Sequence, residues 1–174
     1  GAPVRMVVPE NYGFKSVKWL QRVVLTNAPF ANDTYAGQNN DVDSWMKTFA
    51  RLLSFPTKVA PGEPIPLTGL SQVGISGLRD VEYWFHPAGK ELPADDPHFT
   101  TAPWKKADIL KPPADWKPLP EGRLPVDTFG FDEQGRPREW PMRYSVAHWA
   151  ALAPGLEPGE YELRCRTIDA NGIA

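Results

Sequence analysis

Three basic side chains surround a glycine-containing turn near the start of the chain. Arg5 precedes the turn signal at residues 11–13, and Lys15 and Lys18 follow it. A turn with free backbone N–H groups and cationic flanks suits a phosphate or another multiply charged anion. Three solvated cations on the surface of a hairpin fit the same pattern, so charge alone leaves both interpretations open.

Other patterns that could carry chemistry are less specific. His86 and His98 flank Asp95 and Asp96, where a metal site is conceivable, but zinc-ligand spacing is absent and solvated loop histidines are the simpler interpretation. Cys165 alternates with apolar neighbours, which predicts a buried, inert thiol. Tryptophans could line a ligand groove, but packing anchors are the commoner role of such residues: Trp45, Trp84, Trp104, Trp116, Trp140 and Trp149.

Composition limits the class of protein. The 174 residues carry a formal net charge of -2, which gives no reason to expect nucleic acid or an anionic membrane as a partner. No apolar run approaches the roughly 20 residues of a membrane span. The 20 prolines favour short strands joined by stiff loops.

The elements that would position the cations form a predicted hairpin. Residues 4–8 are typical of a strand, and residues 16–25 indicate a second strand covered on both faces. A connecting segment at 28–60 follows. Within it, Asp43 or Ser44 could cap a short helix that carries Trp45, Phe49, Leu52 and Leu53, although an extended run around Leu52 fits as well.

From residue 61 onward the pattern is that of an antiparallel β domain. Strands are predicted at 65–69, 81–85 and 160–168, the last alternating between apolar and charged residues. A long stretch at about 87–140 lacks periodic apolar pattern and is interpreted as an insertion. The fold class predicted from the residues is therefore mainly β, with a sandwich architecture.

The start of the chain resembles a known family. Gly-x-Pro-Val-Arg-x-Val-Val-Pro, followed by Gly-x-x-x-Val-Lys-Trp-Leu, is similar to the end of the molybdopterin-binding domain of sulfite oxidase-like oxidoreductases. This resemblance implies cofactor-binding roles for Arg5, Ser16, Val17 and Lys18. The later segments 69–85, 101–107 and 158–172 look like parts of the family's immunoglobulin-like dimerisation domain.

On this resemblance, residues 1–27 end the cofactor domain and residues 61–174 form the immunoglobulin-like domain. The implied parent enzyme uses molybdopterin to oxidise a small, sulfur-containing substrate such as sulfite. Arg79 is the nearest candidate for the substrate-binding arginine. The family's metal-ligating cysteine lies upstream of this chain, so Cys165 does not take that role, and no catalytic residue is assigned.

The resemblance also implies partners and a compartment. We expect a homodimer through the sandwich, an external electron acceptor such as a cytochrome, and periplasmic or exported localisation if the source is bacterial. The chain itself is expected to be a C-terminal, inactive part of the enzyme. Two alternatives stay open: a non-catalytic β-sandwich interaction module, and a carbohydrate- or peptide-binding sandwich that uses exposed tryptophans.

Overall fold

The computed structural model describes residues 2–9, 11–27, 48–72, 74–92, 94–112, 114, 124–125 and 128–174. Contacts within the chain divide it into two units, Gly1–Lys47 and Thr48–Ala174. Within the described residues, no helix is long and apolar enough to cross a membrane.

The described residues of the second unit form six antiparallel strands in the order β1-β2-β5-β4-β3-β6. They are β1 Phe49–Ser54, β2 Ile65–Gln72, β3 Leu78–Pro87, β4 Lys105–Ile109, β5 Val146–Ala153 and β6 Tyr161–Asp169. The first half of β4 pairs with β3 and its second half pairs with β5. This strand therefore joins a layer of β1, β2 and β5 to a layer of β3 and β6. The predicted mainly-β sandwich is confirmed.

Alternation along the strands builds the core between the two layers. Ile65, Leu67 and Gly69 point inward from β2, whereas their neighbours Pro66 and Thr68 are exposed. Val81 and Tyr83 of β3 meet Trp149 and Ala153 of β5 in the same cluster. Since successive side chains of a strand point to opposite faces, the apolar positions of period two define the buried face.

β6 confirms the alternation that its sequence predicts. Leu163 and Cys165 pack against the core, and Arg164 and Arg166 lie on the opposite face. Burial raises the pKa of the Cys165 thiol, which keeps the group protonated near neutral pH.

A loop covers the outer face of β3 and β6. Phe99 and Trp104 of this loop pack against Trp84 of β3, with ring centroids 5.8 and 5.7 Å away. Arg164 lies over the Phe99 ring and Arg166 over the Trp104 ring, at 4.6 and 4.3 Å from the centroids. Aromatic contacts and two cation–π contacts thus close the outer side of this layer.

Asp96 fixes the shape of that loop. Its carboxylate accepts four hydrogen bonds, from the N–H and hydroxyl groups of Thr100 and Thr101, all at 2.7–2.8 Å. The Thr101 and Thr100 donors hold the pKa of Asp96 well below its usual range. His86 contacts the Lys90 carbonyl through Nε2 at 2.8 Å. These contacts give Asp96 and His86 structural roles in place of the conceivable metal site.

Tryptophans described in this unit act as packing residues. Trp149 and Trp84 are buried, and the Trp104 and Trp140 indole N–H groups donate to the Phe99 and Leu110 carbonyls. Trp45 and Trp116 lie outside the described residues.

Two segments differ from the sequence-based expectation. Residues 49–54 form β1 rather than the end of a helix, because their backbone pairs with β2 and places Leu52 opposite Gly69. The extended alternative was the correct one there, and residues 43–47 lie outside the described residues. β4 lies within the stretch interpreted as an insertion, so part of that stretch belongs to the sandwich.

The predicted strands of the first unit are wrong as regular strands. Residues 4–8 and 16–25 are paired only irregularly, with a 3-10 turn at Gly13–Lys15 between them. Residues 16–25 were expected to be buried on both faces. The described residues do not bury them, since the exposed fractions of Trp19 and Leu25 are 67% and 94%. An extra residue in the pairing, described below, accounts for the irregularity.

Candidate functional site

Two backbone hydrogen bonds hold the start of the chain against residues 17–20. The Met6 N–H donates to the Val17 carbonyl at 3.0 Å, and the Leu20 N–H donates to the Val4 carbonyl at 3.1 Å. The chain reverses between them through the 3-10 turn, where the Ser16 N–H donates to the Gly13 carbonyl at 3.1 Å. The arrangement is antiparallel and forms a closed loop around the predicted anion turn.

Ser16 closes this loop with two groups. Its hydroxyl oxygen accepts a hydrogen bond from the Val8 N–H at 3.2 Å. Its carbonyl oxygen accepts from the Nε of Arg5 at 3.3 Å. The carbonyl thereby holds the Arg5 side chain against the loop, and the residue remains exposed to solvent.

The pairing contains a β-bulge at Lys18 and Trp19. Between the two backbone bonds, one residue on the first segment, Arg5, stands opposite two residues on the second, Lys18 and Trp19. Trp19 adopts a left-handed backbone with φ 51°. For a non-glycine residue this conformation costs about 1 kcal/mol.

The bulge leaves backbone donors unused. Within the described part of the chain, no hydrogen bond is donated by the N–H groups of Val17, Lys18 and Trp19. Lys18 is exposed and makes no hydrogen bond or ion pair with the described residues. Backbone N–H groups next to cationic side chains are of the kind that bind anions in proteins.

The charge of this segment supports the same chemistry. Residues 1–27 contain four basic residues, Arg5, Lys15, Lys18 and Arg22, and a single acidic residue, Glu10. The whole chain has a net charge of -2, so residues 1–27 carry a positive net charge and the rest of the chain carries a negative one. A multiply charged anion such as a phosphate group fits these residues.

Arg79 lies in the second unit, at the start of β3. Its Nε bonds to the Asp80 carboxylate at 2.9 Å, and the Lys106 ammonium bonds to the same carboxylate at 2.8 Å. Lys106 and Arg79 keep the pKa of Asp80 below its usual value despite partial burial. Arg79 is therefore paired, whereas Lys18 has no ion pair among the residues that the structure describes.

The structure brings together four of the five residues singled out from the sequence: Arg5, Ser16, Val17 and Lys18. Trp19 was missed as a member of this group. A tryptophan gives no sequence signal for a left-handed backbone, which glycine or asparagine would have given. The displacement of the Trp19 N–H from the Val4 carbonyl follows from that backbone and could not be read from residue types.

Two comparisons with known proteins match parts of the chain. Residues 1–34 match the family described as "Oxidoreductase molybdopterin binding domain". A stretch of 63 residues is 40% identical to a protein named "Nitrate reductase [NADPH]" from Neurospora crassa. That match covers 36% of this chain and 5% of the relative. The start of the chain is thus similar to that domain, and the chain spans about a twentieth of the length of the curated relative that it matches.

Proposed function

We propose that this chain is part of a molybdenum-cofactor oxidoreductase in which the bulged loop anchors the pterin cofactor. One observation carries the proposal: the bulge places Arg5, Lys18 and the free N–H groups of Val17–Trp19 in one hydrogen-bonded loop. When bound, the cofactor supplies oxygen-atom transfer at molybdenum. The residues of this chain bind and orient it and neutralise its anionic group.

The parts of the loop have separate tasks in this proposal. Arg5 and Lys18 supply positive charge. The Val17 carbonyl accepts a hydrogen bond from the Met6 N–H, and the Val17 N–H is a donor for the ligand. Ser16 orients Arg5 through its carbonyl and ties the loop through its hydroxyl. Interactions between charged groups and phosphate are stronger than neutral hydrogen bonds, so the two cations carry most of the affinity.

Arg5→Ala and Lys18→Ala in the parent protein are expected to lower the bound molybdopterin by about tenfold each, as loss of a charged hydrogen bond implies. Molybdopterin released from the purified protein is quantified by its fluorescence after oxidation. Arg22→Ala is the matched control, because it removes the same charge from outside the hydrogen-bonded loop. Unchanged cofactor content in both loop variants would refute the proposal.

The substrate we propose is a small anion, with sulfite as the first candidate. The relative's name makes nitrate the rival, since both are small oxyanions. Arg79 is proposed to contact the substrate. Its guanidinium would then bind the anion through N–H groups other than the Nε–H that pairs with Asp80. Turnover of the parent protein with sulfite and an electron acceptor, compared with nitrate and a reductant, separates the two substrates.

A second function, as an interaction module, is favoured by the outer face of β2 and β5. Residues opposite each other there include Pro66 with Leu152, Thr68 with Ala150, Leu70 with His148 and Gln72 with Val146. These eight residues include no Asp, Glu, Lys or Arg, and Leu152 is 70% exposed; Arg51 of β1 stands beside Leu70 and Asp108 of β4 beside Ala150 at the edges of the strip. Such charge depletion is typical of interface cores. A second copy of the chain would meet an uncharged centre with one cation and one anion at its edges, so we propose a homodimer.

Leu152→Asp is expected to weaken that dimer by about tenfold or more, because two carboxylates would be buried near the symmetry axis. Sedimentation over a concentration series measures the effect. Ile173→Asp is the control, since Ile173 is exposed to a similar extent, 67%, and lies off the strip. A native chain that sediments as a monomer at all concentrations would contradict the module proposal and leave the cofactor proposal intact.

A further inference from the structure

Trp19 has a backbone conformation that its own side chain does not explain. Its φ of 51° lies in the left-handed region, and the exposed fraction of the residue is 67%. A tryptophan that adopted this conformation in order to bury its ring would be mostly hidden from solvent. The described residues around it do not provide such burial, so the conformation needs another cause.

The cause lies in the hydrogen bonds on either side. Val17 is fixed by Met6 and Leu20 by Val4, at 3.0 and 3.1 Å. A regular antiparallel ladder would place the Trp19 N–H, rather than the Leu20 N–H, opposite the Val4 carbonyl. The left-handed residue absorbs the extra length, which is how a bulge re-aims the side chains beside it.

We infer that Trp19 is a positioning residue of the anion site: its left-handed backbone withdraws its own N–H from the Val4 carbonyl and leaves it, beside Lys18, available to a phosphate group. This inference rests on the proposed function and adds to it the residue that sets the shape of the loop. It assigns the role to the backbone of Trp19 and not to its indole ring.

Three substitutions separate backbone from ring. Glycine adopts the left-handed region without steric cost and asparagine adopts it readily, so Trp19→Gly and Trp19→Asn keep the bulge and remove the ring. Valine is β-branched and is a marked outlier at positive φ, so Trp19→Val favours the regular ladder. In that register the N–H of position 19 would donate to the Val4 carbonyl and would no longer be available to the anion.

The test is a titration of the 174-residue chain with inorganic pyrophosphate, followed by the amide NMR shifts of residues 17–19. In the native chain these amides should shift on titration. Trp19→Gly and Trp19→Asn should retain the native dissociation constant within about threefold, and Trp19→Val should weaken it by about tenfold, the order of the left-handed penalty. Amides of β2 and β5 should not shift and report that the second unit remains folded in every variant.

Each outcome decides between the claims. Equal weakening in the glycine and valine variants would show that the ring matters and would overturn the backbone assignment. Native binding in the valine variant would overturn it as well. If Arg5→Ala and Lys18→Ala also leave pyrophosphate binding unchanged, the proposed function fails; if they abolish binding while Trp19→Val does not, only the present inference fails.

Discussion

Replacing Gly69 with alanine is expected to destabilise the second unit by about 3 kcal/mol, the upper end of the usual cost of overpacking. A Cβ built on Gly69 would overlap the Trp149 ring and the Arg51 carbonyl oxygen. Trp149 is fully buried and stands opposite Gly69 in the pairing of β2 with β5. Neither the ring nor the β1 backbone can withdraw without breaking other contacts.

The free energy of unfolding in urea, followed by tryptophan fluorescence, measures this effect. Gly13→Ala is the control, because a Cβ there meets nothing within 4 Å and the backbone does not have positive φ. A double variant with Trp149→Leu should lose less stability than the two single variants added together, since the smaller side chain removes one of the two overlaps. Equal stability of Gly69→Ala and the native chain would contradict the packing described for the core.

Replacing Asp96 with alanine is expected to release the loop that covers the outer face of β3. All four hydrogen bonds to Thr100 and Thr101 would be lost at once. Phe99 and Trp104 would then lose their fixed positions against Trp84. Proteolysis in residues 97–103 should become at least about tenfold faster, the factor that loss of one ordinary net hydrogen bond gives.

Asp96→Asn provides a graded comparison. An amide oxygen can still accept from one threonine, but the amide nitrogen cannot accept from the other. Its proteolysis rate should therefore lie between those of the native chain and Asp96→Ala. Phe129→Ala is the control, because Phe129 is 99% exposed and its removal should leave the loop unchanged. A native cleavage rate in Asp96→Ala would show that the carboxylate does not hold the loop.

The same carboxylate predicts a pH dependence. Because the pKa of Asp96 is lower in the folded than in the unfolded chain, its stabilisation is complete above the unfolded value of about 3.9. It is lost progressively as the pH falls from there through the lowered folded-state pKa. The pKa values of Asp80 and Asp169 are also lowered, so the difference between native chain and Asp96→Asn isolates the effect of Asp96. That difference should shrink on acidification.

Much of the sandwich was predictable because its signals are local. The alternation in β2 follows from one buried and one exposed face, which residue types record directly. In β6 the alternation of apolar and charged residues separates the core face from the face that the loop with Phe99 and Trp104 covers. β1 was harder, since Phe49 and Leu52 are also compatible with helical spacing. Its pairing with β2 depends on Gly69, a contact between distant parts of the chain that no local pattern contains.

In the candidate site, too, the residue types were predictable and the pairing between distant residues was not. Arg5, Ser16 and Lys18 were recognisable from residue types, turn chemistry and family resemblance. The bulge that places them depends on which carbonyl the Leu20 N–H reaches, and a shift by one residue changes that partner without changing the sequence pattern. Arg79 was chosen by spacing alone, and its ion pair with Asp80 became visible only in the structure.

The position of β4 bears on how this domain could diversify. Although it is only 5 residues long, it takes part in both ladders and is flanked by the two longest connections of the unit, 88–104 and 110–145. Insertions in either connection leave the register of β4 untouched, because loops at the surface tolerate length changes that paired backbone does not. Related proteins could therefore acquire new surface loops at these two places while inheriting an unaltered sandwich, and a designer could graft binding loops there for the same reason.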